Sequence, residues 1–370
     1  MRKRRLWPCA GEGGRTAHVV RRFHRWRGLL TLLTGALIAG LACVTLAGCG
    51  GGTSGESSSD GTSDEVSLQV VATTSVVADI AQNVAGDLFT VQALIPPGVD
   101  PHSYQPTPED LKRLAGADLV IVNGAGLEGT LDQYLGDVAA GKIVVASKGL
   151  KPRTPRAGEP VHEHDEHGEA VEEGEEHADE GGAHEHEEAH DAEADPHFWL
   201  DPTLVRTYVR NIADGLEKAD PAHAGEYEAN AAAYDRELTE LHTWIQQQVE
   251  KVPPERRKLV MNHASHGYWA DRYGFAVVGA VIPSVSTGAA PTAKDLADLL
   301  ATIRRQKVPA IFVDVEENPR LADQIAADTG ITVVDDLYGH ALSGPDGPAP
   351  TYIDMMKWDT RRIVGALTQP

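Results

Sequence analysis

Residues 222–249, AHAGEYEANAAAYDRELTELHTWIQQQV, place Tyr227, Ala231, Tyr234, Leu238, Leu241 and Ile245 at spacings that alternate between four and three. That period lays one apolar stripe along a single helix, about 40 Å long at ~1.5 Å per residue, and Pro253-Pro254 stops it. The plainer reading is a core helix of one domain. Its length and abrupt stop favour a rigid spine, residues 222–252, joining two lobes. Before it, Leu68–Ala72 reads as a buried strand and Val76–Val84 as a helix closed by Gly86. Thr107-Pro108-Glu109-Asp110 opens another helix, with Thr as N-cap, Pro in the first turn and acids behind it, and strands follow at Asp118–Asn123 and Lys142–Ala146. After the spine, strands recur at Lys258–Met261, Ala276–Ala280, Ala310–Val313 and Ile331–Val334, with helices near Lys294–Arg305 and Pro319–Thr329. This alternation predicts an α/β protein of two doubly wound parallel-sheet lobes, residues 66–221 and 253–370. The second lobe repeats the architecture of the first without a clear sequence repeat.

The N-terminus speaks to location. Arg2, Lys3, Arg4 and Arg5, a second basic cluster from Arg21 to Arg27, and an apolar run from Leu29 to Val44 lead to Leu46-Ala47-Gly48-Cys49. A basic region, a short apolar region and small residues before a cysteine make an export signal over residues 1–48; the run falls short of the ~20 residues of a membrane span. The competing reading is an uncleaved N-terminal anchor helix. Leu-Ala-Gly-Cys resembles the lipobox of bacterial lipoproteins, which implies an acylated Cys49 as the new N-terminus. Cys9 and Cys43 fall inside the signal, so the mature domain would hold no free thiol and no disulfide, which excludes thiolate chemistry and cysteine zinc fingers. Residues 49–65, rich in Gly and Ser, read as a flexible tether to a membrane surface.

Charge is lopsided. The chain carries 33 Lys+Arg against 55 Asp+Glu, a formal net charge of -22. A body this acidic is a poor nucleic-acid binder, because phosphate neutralisation needs clustered Lys and Arg; cationic ligands suit it better. Residues 158–195 are Glu, Asp, His, Gly and Ala almost throughout, with nothing to bury, and form an insertion into the first lobe. Its seven histidines, from His162 to His190, suit a lower-affinity metal collector or sensor; the competing reading is a solvated charge run.

Four other histidines sit in constrained settings. His102 lies in a proline-rich turn, Pro96-Pro97-Gly98-Val99-Asp100-Pro101-His102, and His197 in a second Asp-Pro-His, Asp195-Pro196-His197. His263 follows the strand from Lys258, and His340 follows the strand from Ile331; both stand at carboxyl ends of parallel strands, where open α/β sheets place ligands. Neutral imidazole binds zinc, and a carboxylate that accepts the other ring N–H fixes the tautomer; Asp100, Asp195 and Asp201 are placed to do so. Taken singly, each histidine reads first as a solvated surface residue. The repeated Asp-Pro-His and the strand ends are what join them.

With these motifs the chain from Leu68 to Leu367 resembles the zinc/manganese class of ABC-transporter solute-binding proteins, most of all its high-affinity zinc-uptake members. The matching pieces are Pro97–Tyr104, Asp118–Glu128, Asp195–Pro202, His263–Phe275 and Thr351–Trp358. The resemblance implies a metal site in the cleft between lobes, with ligands at His102, His197 and His263. Histidine at the third position is typical of zinc binders, and glutamate of manganese-selective members. The family's fourth ligand is usually aspartate in a segment like Leu-Tyr-Xaa-Asp-Ser-Leu, and here that position is His340, in Leu337-Tyr338-Gly339-His340-Ala341-Leu342. Either His340 coordinates, or Asp336 or Asp335 reaches the metal instead. His266 is a weaker candidate to line the cleft.

The expected function is an extracytoplasmic, lipid-anchored, monomeric binding protein that captures Zn2+, with Mn2+ second, and delivers it to an ABC permease and its ATPase. A metal-binding adhesin or zinc chaperone is the alternative. A metallohydrolase needs an open coordination position and a general base; four histidine ligands would leave no such position, and Glu316 and Glu317 are the acids to check. Replacing Cys49 by Ser should move the protein from the membrane fraction to the soluble fraction and abolish labelling by a radioactive fatty acid; membrane retention without label would instead support the anchor helix.

Overall fold

The computed structural model describes residues 68–154, 156, 159 and 194–369. The expected signal, Cys49, the tether and the histidines of the insertion lie outside these residues. Two four-stranded sheets form, both entirely parallel. The first contains β1 (Val70–Ala72), β2 (Gln92–Ala93), β3 (Leu119–Val122) and β4 (Ile143–Val145) in the order β2-β1-β3-β4. The second contains β5 (Lys258–His263), β6 (Ala276–Ile282), β7 (Ala310–Asp314) and β8 (Thr332–Leu337) in the order β6-β5-β7-β8. The two orders are the same when each sheet is numbered from its own first strand, so the repeat expected from topology alone is present. In each sheet the direction of winding reverses between the first and third strands, and that is where such sheets bind ligands.

The central strands β1, β3, β5 and β7 are buried on both faces, as parallel strands covered by helices must be. Val70, Ala72, Leu119, Ile121, Leu259, Met261, Ala310 and Phe312 face one continuous apolar layer. Their neighbours Val71, Val120 and Val122 face a separate cluster beneath α2 (Pro108–Gly116), and Val260, Ile311 and Val313 another beneath α7 (Ala293–Gln306) and α8 (Arg320–Thr329). The continuous layer is filled by α1 (Ser75–Ala85), α4 (Pro202–Ala219), α5 (Ala224–Val249) and α9 (Tyr352–Thr368), through Ile80, Tyr208, Tyr227, Leu238, Tyr352 and Leu367, all 0% exposed.

Helix α5 is the expected spine. Its 26 residues span roughly 39 Å, and the stripe Tyr227, Tyr234, Leu238, Leu241 and Ile245 is buried. It packs on α1, α4 and α9, so the two sheets are joined by a shared apolar layer and by α9 as well as by the spine. Local signals held where capping chemistry is strong. Thr107 closes a capping box with Asp110, and Gly86 ends α1 at φ 62°, a conformation that costs glycine little; Thr292, which the sequence reading does not single out, closes a second capping box with Asp295. Five strands and α-helices have no counterpart in the sequence reading: β2, α3 (Asp132–Leu135), α4, α6 (Gly267–Tyr273) and α9. Strand β8 also runs on past Val334 to Leu337, which puts Asp335 and Asp336 inside the strand.

Because one layer serves both sheets, truncating it should weaken the whole molecule. Leu238→Ala, at a fully buried position of α5, is expected to cost about 2–5 kcal/mol in urea unfolding, with both halves melting in one transition.

Candidate metal centre

The four histidines arrive from four places. His102 lies in the turn between β2 and α2, and His197 opens a short 3-10 turn, Phe198–Leu200, ahead of α4. His263 is the last residue of β5, and His340 lies three residues beyond β8. Their Nε2 atoms converge. His197 Nε2 is 3.2 Å from His102 Nε2, 3.4 Å from His263 Nε2 and 3.2 Å from His340 Nε2, and the last two are 3.1 Å apart. His197, His263 and His340 are buried; His102 is partly exposed and borders a cavity of about 320 Å³ whose walls include Ala125, Thr130, Pro196 and Ser286. A larger cavity, about 1080 Å³, lies between β4 and α4 and is lined by no histidine.

Each buried ring has a carboxylate at its other nitrogen. His197 Nδ1 is 2.8 Å from Asp195 Oδ1, which also accepts the His197 backbone N–H at 3.1 Å. His340 Nδ1 is 3.3 Å from Asp314 Oδ2. His263 Nδ1 lies 2.8 Å from Glu317 Oε1, although its alignment falls short of a hydrogen bond. Of the three aspartates expected as ring partners, only Asp195 serves. Asp100 accepts the His102 backbone N–H (2.9 Å) and the hydroxyls of Ser103 and Thr287, so it fixes the turn rather than the ring. Asp201 caps α4 through Thr203 and pairs with Arg272; a short carboxylate one residue before a helix is drawn to the free N–H groups of its first turn.

The alternative fourth ligands stay outside. Asp336 pairs with Arg362 at 2.7 Å, and Asp335 is exposed on β8. His266 is buried with Nδ1 2.9 Å from Ser265 Oγ, its Nε2 has no hydrogen-bond partner, and it is not one of the four converging rings. Asp195, assigned from sequence to the insertion, is 2% exposed and belongs to the core. Asp314 and Glu317 are the ring partners that a reading along the chain does not assign. Both sit at or just beyond the end of β7, across the winding switch from His263, so the signal that could have found them is the strand order.

The surroundings are built to hold these rings. At the end of β3, Asn123 donates to the Pro196 carbonyl (3.1 Å) and accepts from Tyr208 Oη. Buried Glu128 accepts the backbone N–H groups of Asn123 (2.6 Å) and Gly124 (2.9 Å) and the Thr73 hydroxyl (2.8 Å). Trp199 Nε1 donates to the Gly339 carbonyl at 2.8 Å, and Tyr352 Oη to the Trp199 carbonyl at 2.7 Å, tying the His197 segment to the His340 loop and to α9. Gly339 N donates to Asp314 Oδ1 (2.9 Å). A Cβ on Gly339 would stand 2.5 Å from that carboxylate, so only glycine allows the approach.

Protonation follows from burial and from these partners. Burial holds the His102 and His197 pKa values well below the usual imidazole range, and the neighbouring rings add to the effect. Burial also opposes a charge on His340, but the Asp314 hydrogen bond and the Asp314, Glu316 and Glu317 carboxylates outweigh it and raise its pKa to about 9. The same contacts with His340 hold Asp314 well below its ordinary value despite burial. Burial pushes Asp195 up to about 7. Four Nε2 atoms facing one another, with Nδ1 of the three buried rings turned to acids, suit a cation at their centre.

Comparison with known proteins points the same way. The family described as zinc-uptake complex component A, periplasmic (ZnuA), matches residues 70–366. The manganese-binding lipoprotein MntA of Halalkalibacterium halodurans is 30% identical over 323 residues, covering 87% of this chain and 94% of that protein. The iron-binding protein YfeA of Yersinia pestis is 29% identical, covering 82% and 87%. Among solved structures, the periplasmic zinc-binding protein TroA of Treponema pallidum superposes with a TM-score of 0.67 at 27% identity, over 81% of this chain and 99% of that one.

The raised pKa of His340 sets the pH response of any cation held at Nε2, because the ring must lose a proton to bind it. The sequence alone places that loss near pH 6.5; His340 moves it higher. Between about pH 7 and 9, binding should release about one proton, and apparent affinity should rise up to about tenfold per pH unit before levelling above 9. Calorimetry in buffers of different ionisation enthalpy counts that proton. Asp314→Asn, which removes the carboxylate holding the charge, should lower the upper limit and weaken binding by roughly 10–100-fold.

Proposed function

The chain belongs to the family of periplasmic zinc-uptake component A proteins and is the substrate-binding component of a metal ABC importer, not an enzyme; from that premise we propose that its cargo is Zn2+, held by Nε2 of His102, His197, His263 and His340. The observation that carries this reading is the set of nitrogen separations. A tetrahedral zinc centre with Zn–N bonds of ~2.0–2.1 Å requires nitrogens ~3.3–3.4 Å apart; four of the separations are 3.1–3.4 Å. Donor chemistry supports it too, since imidazole suits zinc while manganese prefers oxygen. Relatives named for manganese, iron and zinc mean that membership alone does not choose the metal, and an all-nitrogen set favours zinc over manganese. Copper and nickel also accept imidazole, but their tetragonal preference fits four converging rings less well.

Capture then works through the two halves. The pair His102 and His197 belongs to the 66–221 lobe and the pair His263 and His340 to the 253–370 lobe, joined by the 222–252 helix. Partly exposed His102, beside its cavity, is the first ring an incoming ion meets, and the three buried rings complete the shell as water leaves. Asp195, Asp314 and Glu317 keep each buried ring turned with Nε2 inward and place negative charge around the dication. Delivery to the permease requires the pairs to part. The relatives named as lipoproteins support export by residues 1–48 and anchoring through Cys49, which keeps the receptor beside its transporter.

Titration of the purified protein with zinc should show one tight site. His102→Ala and His197→Ala should each weaken it on the order of 100-fold or more, beyond the loss expected for an outer partner, while Asp336→Ala leaves it unchanged. Anomalous scattering from a metal-loaded crystal identifies the element and its ligands together. Tight binding retained in both histidine variants, or a metal located away from these rings, defeats the assignment.

A further inference from the structure

We propose that Arg153 is a positioning residue for metal capture: through Asp195, its guanidinium holds the His197 imidazole with Nε2 aimed at the cation. This inference rests on the zinc-site reading above and extends it beyond the carboxylates that touch the rings. Arg153 lies past β4, in the stretch that leads to the insertion, yet its side chain is only 9% exposed. Burying a guanidinium is costly unless it is fully paired, and here it is. Nε is 3.1 Å from Asp271 Oδ2, and Nη2 donates to Asp271 Oδ1 (3.3 Å) and Glu159 Oε1 (2.9 Å). Nη1 is 2.8 Å from Glu159 Oε2 and 3.9 Å from Asp195 Oδ2.

The last contact matters because of how Asp195 is used. Its Oδ1 is engaged twice by His197, at the ring and at the backbone. Its Oδ2 is buried with no hydrogen-bond partner, so the Arg153 cation is what that oxygen faces. The backbone is gripped at the same junction: Arg153 N donates to Tyr268 Oη (3.0 Å), and Tyr268 Oη donates to the Asp195 carbonyl (2.8 Å). Asp195 is therefore held on its main chain by Tyr268 and on its free carboxylate oxygen by Arg153. An imidazole offers either nitrogen to a metal, and the one it offers is decided by where its other N–H is bonded. A carboxylate free to rotate would not make that choice for His197.

The seat for the guanidinium is built into the second half of the molecule. Asp271 lies on α6, and Gly267 opens that helix. A Cβ on Gly267 would meet Arg153 Nη1 at 2.3 Å, so the guanidinium occupies the space a side chain there would fill. Arg153 thus links α6 of one half to a ligand carried by the other. Lysine would keep the charge but not the planar fork that serves Glu159, Asp271 and Asp195 at once.

The test uses Arg153→Met, Arg153→Lys and Gly267→Ala, the last displacing the guanidinium without deleting it, together with Asp195→Asn. Zinc affinity and dissociation rate are measured by chelator competition, and the His197 tautomer by 15N shifts of the labelled imidazole in the metal-free protein. Arg153→Met and Gly267→Ala are expected to weaken zinc binding about tenfold, at the low end for groups behind a metal ligand, by faster dissociation. His197 should shift from a single tautomer to a mixture, and Arg153→Lys should restore part of the loss. In the Asp195→Asn background Arg153→Met should add nothing. Equal losses in the two backgrounds, or unchanged affinity and tautomer in Gly267→Ala, overturn the proposal. If Arg153→Met does not fold, Gly267→Ala alone and combined with Asp195→Asn gives the same readings. Parent protein that binds zinc and loses it on His197→Ala keeps this outcome separate from a failure of the site itself.

Discussion

Four imidazole nitrogens, with four of their six separations at 3.1–3.4 Å, cannot rest together on their own terms. A ring whose Nδ1–H is committed to an acid presents only a lone pair at Nε2, and lone pairs repel at that range. A proton can bridge two of them but not four. A small dication satisfies them all, and it brings two positive charges into a buried site where neutral ligands compensate neither. Asp195, Asp314 and Glu317, standing behind the rings, supply the countercharge without occupying the coordination shell. The four rings and the acids behind them thus act as one device for a cation, since either without the other would leave charge uncompensated in a poorly polarisable interior.

Much of the fold exists to aim that device. His263 ends β5 and Asp314 ends β7, on the two strands between which the second sheet reverses its winding. The equivalent place in the first sheet is filled by Thr73, Asn123 and Glu128, whose hydrogen bonds bind no ligand but hold the Asp195-Pro196-His197 segment in place. The same topological position therefore does two jobs, presenting a converging histidine in one half and buttressing another in the other. Trp199 closes the arrangement by bonding the loop that carries His340.

What could be read along the chain was what short-range physics determines. Buried strands showed as apolar runs, a capping residue marked the helix start at Thr107, and the Asp-Pro-His pair and strand ends marked the four histidines. What escaped depends on distance in space. Asp314 and Glu317 pair with rings 26 and 54 residues away in sequence, and nothing local distinguishes them from other acids near a strand end. Asp100 and Asp201 were misassigned because a carboxylate beside a turn or helix start is claimed first by nearby backbone N–H groups. Asp201-Pro202 was in fact the signal for α4, read for its charge rather than for its capping. Asp336 lost its candidacy once β8 was seen to run through it, which leaves it paired with Arg362.

The continuous apolar layer beneath both sheets has a mechanical meaning. Jaws that swing on a bare hinge open at thermal cost alone, but here wide opening would wet side chains of α1, α4, α5 and α9, at roughly 25 cal/mol for each Å² exposed. The halves are consequently stiff about their shared seam and yield chiefly at the rim where the rings meet. For an ion held between the rings, that stiffness would slow exchange with the surrounding fluid. Unloading then becomes the task of whatever docks on it, whose own binding must supply the force that prises the rim apart.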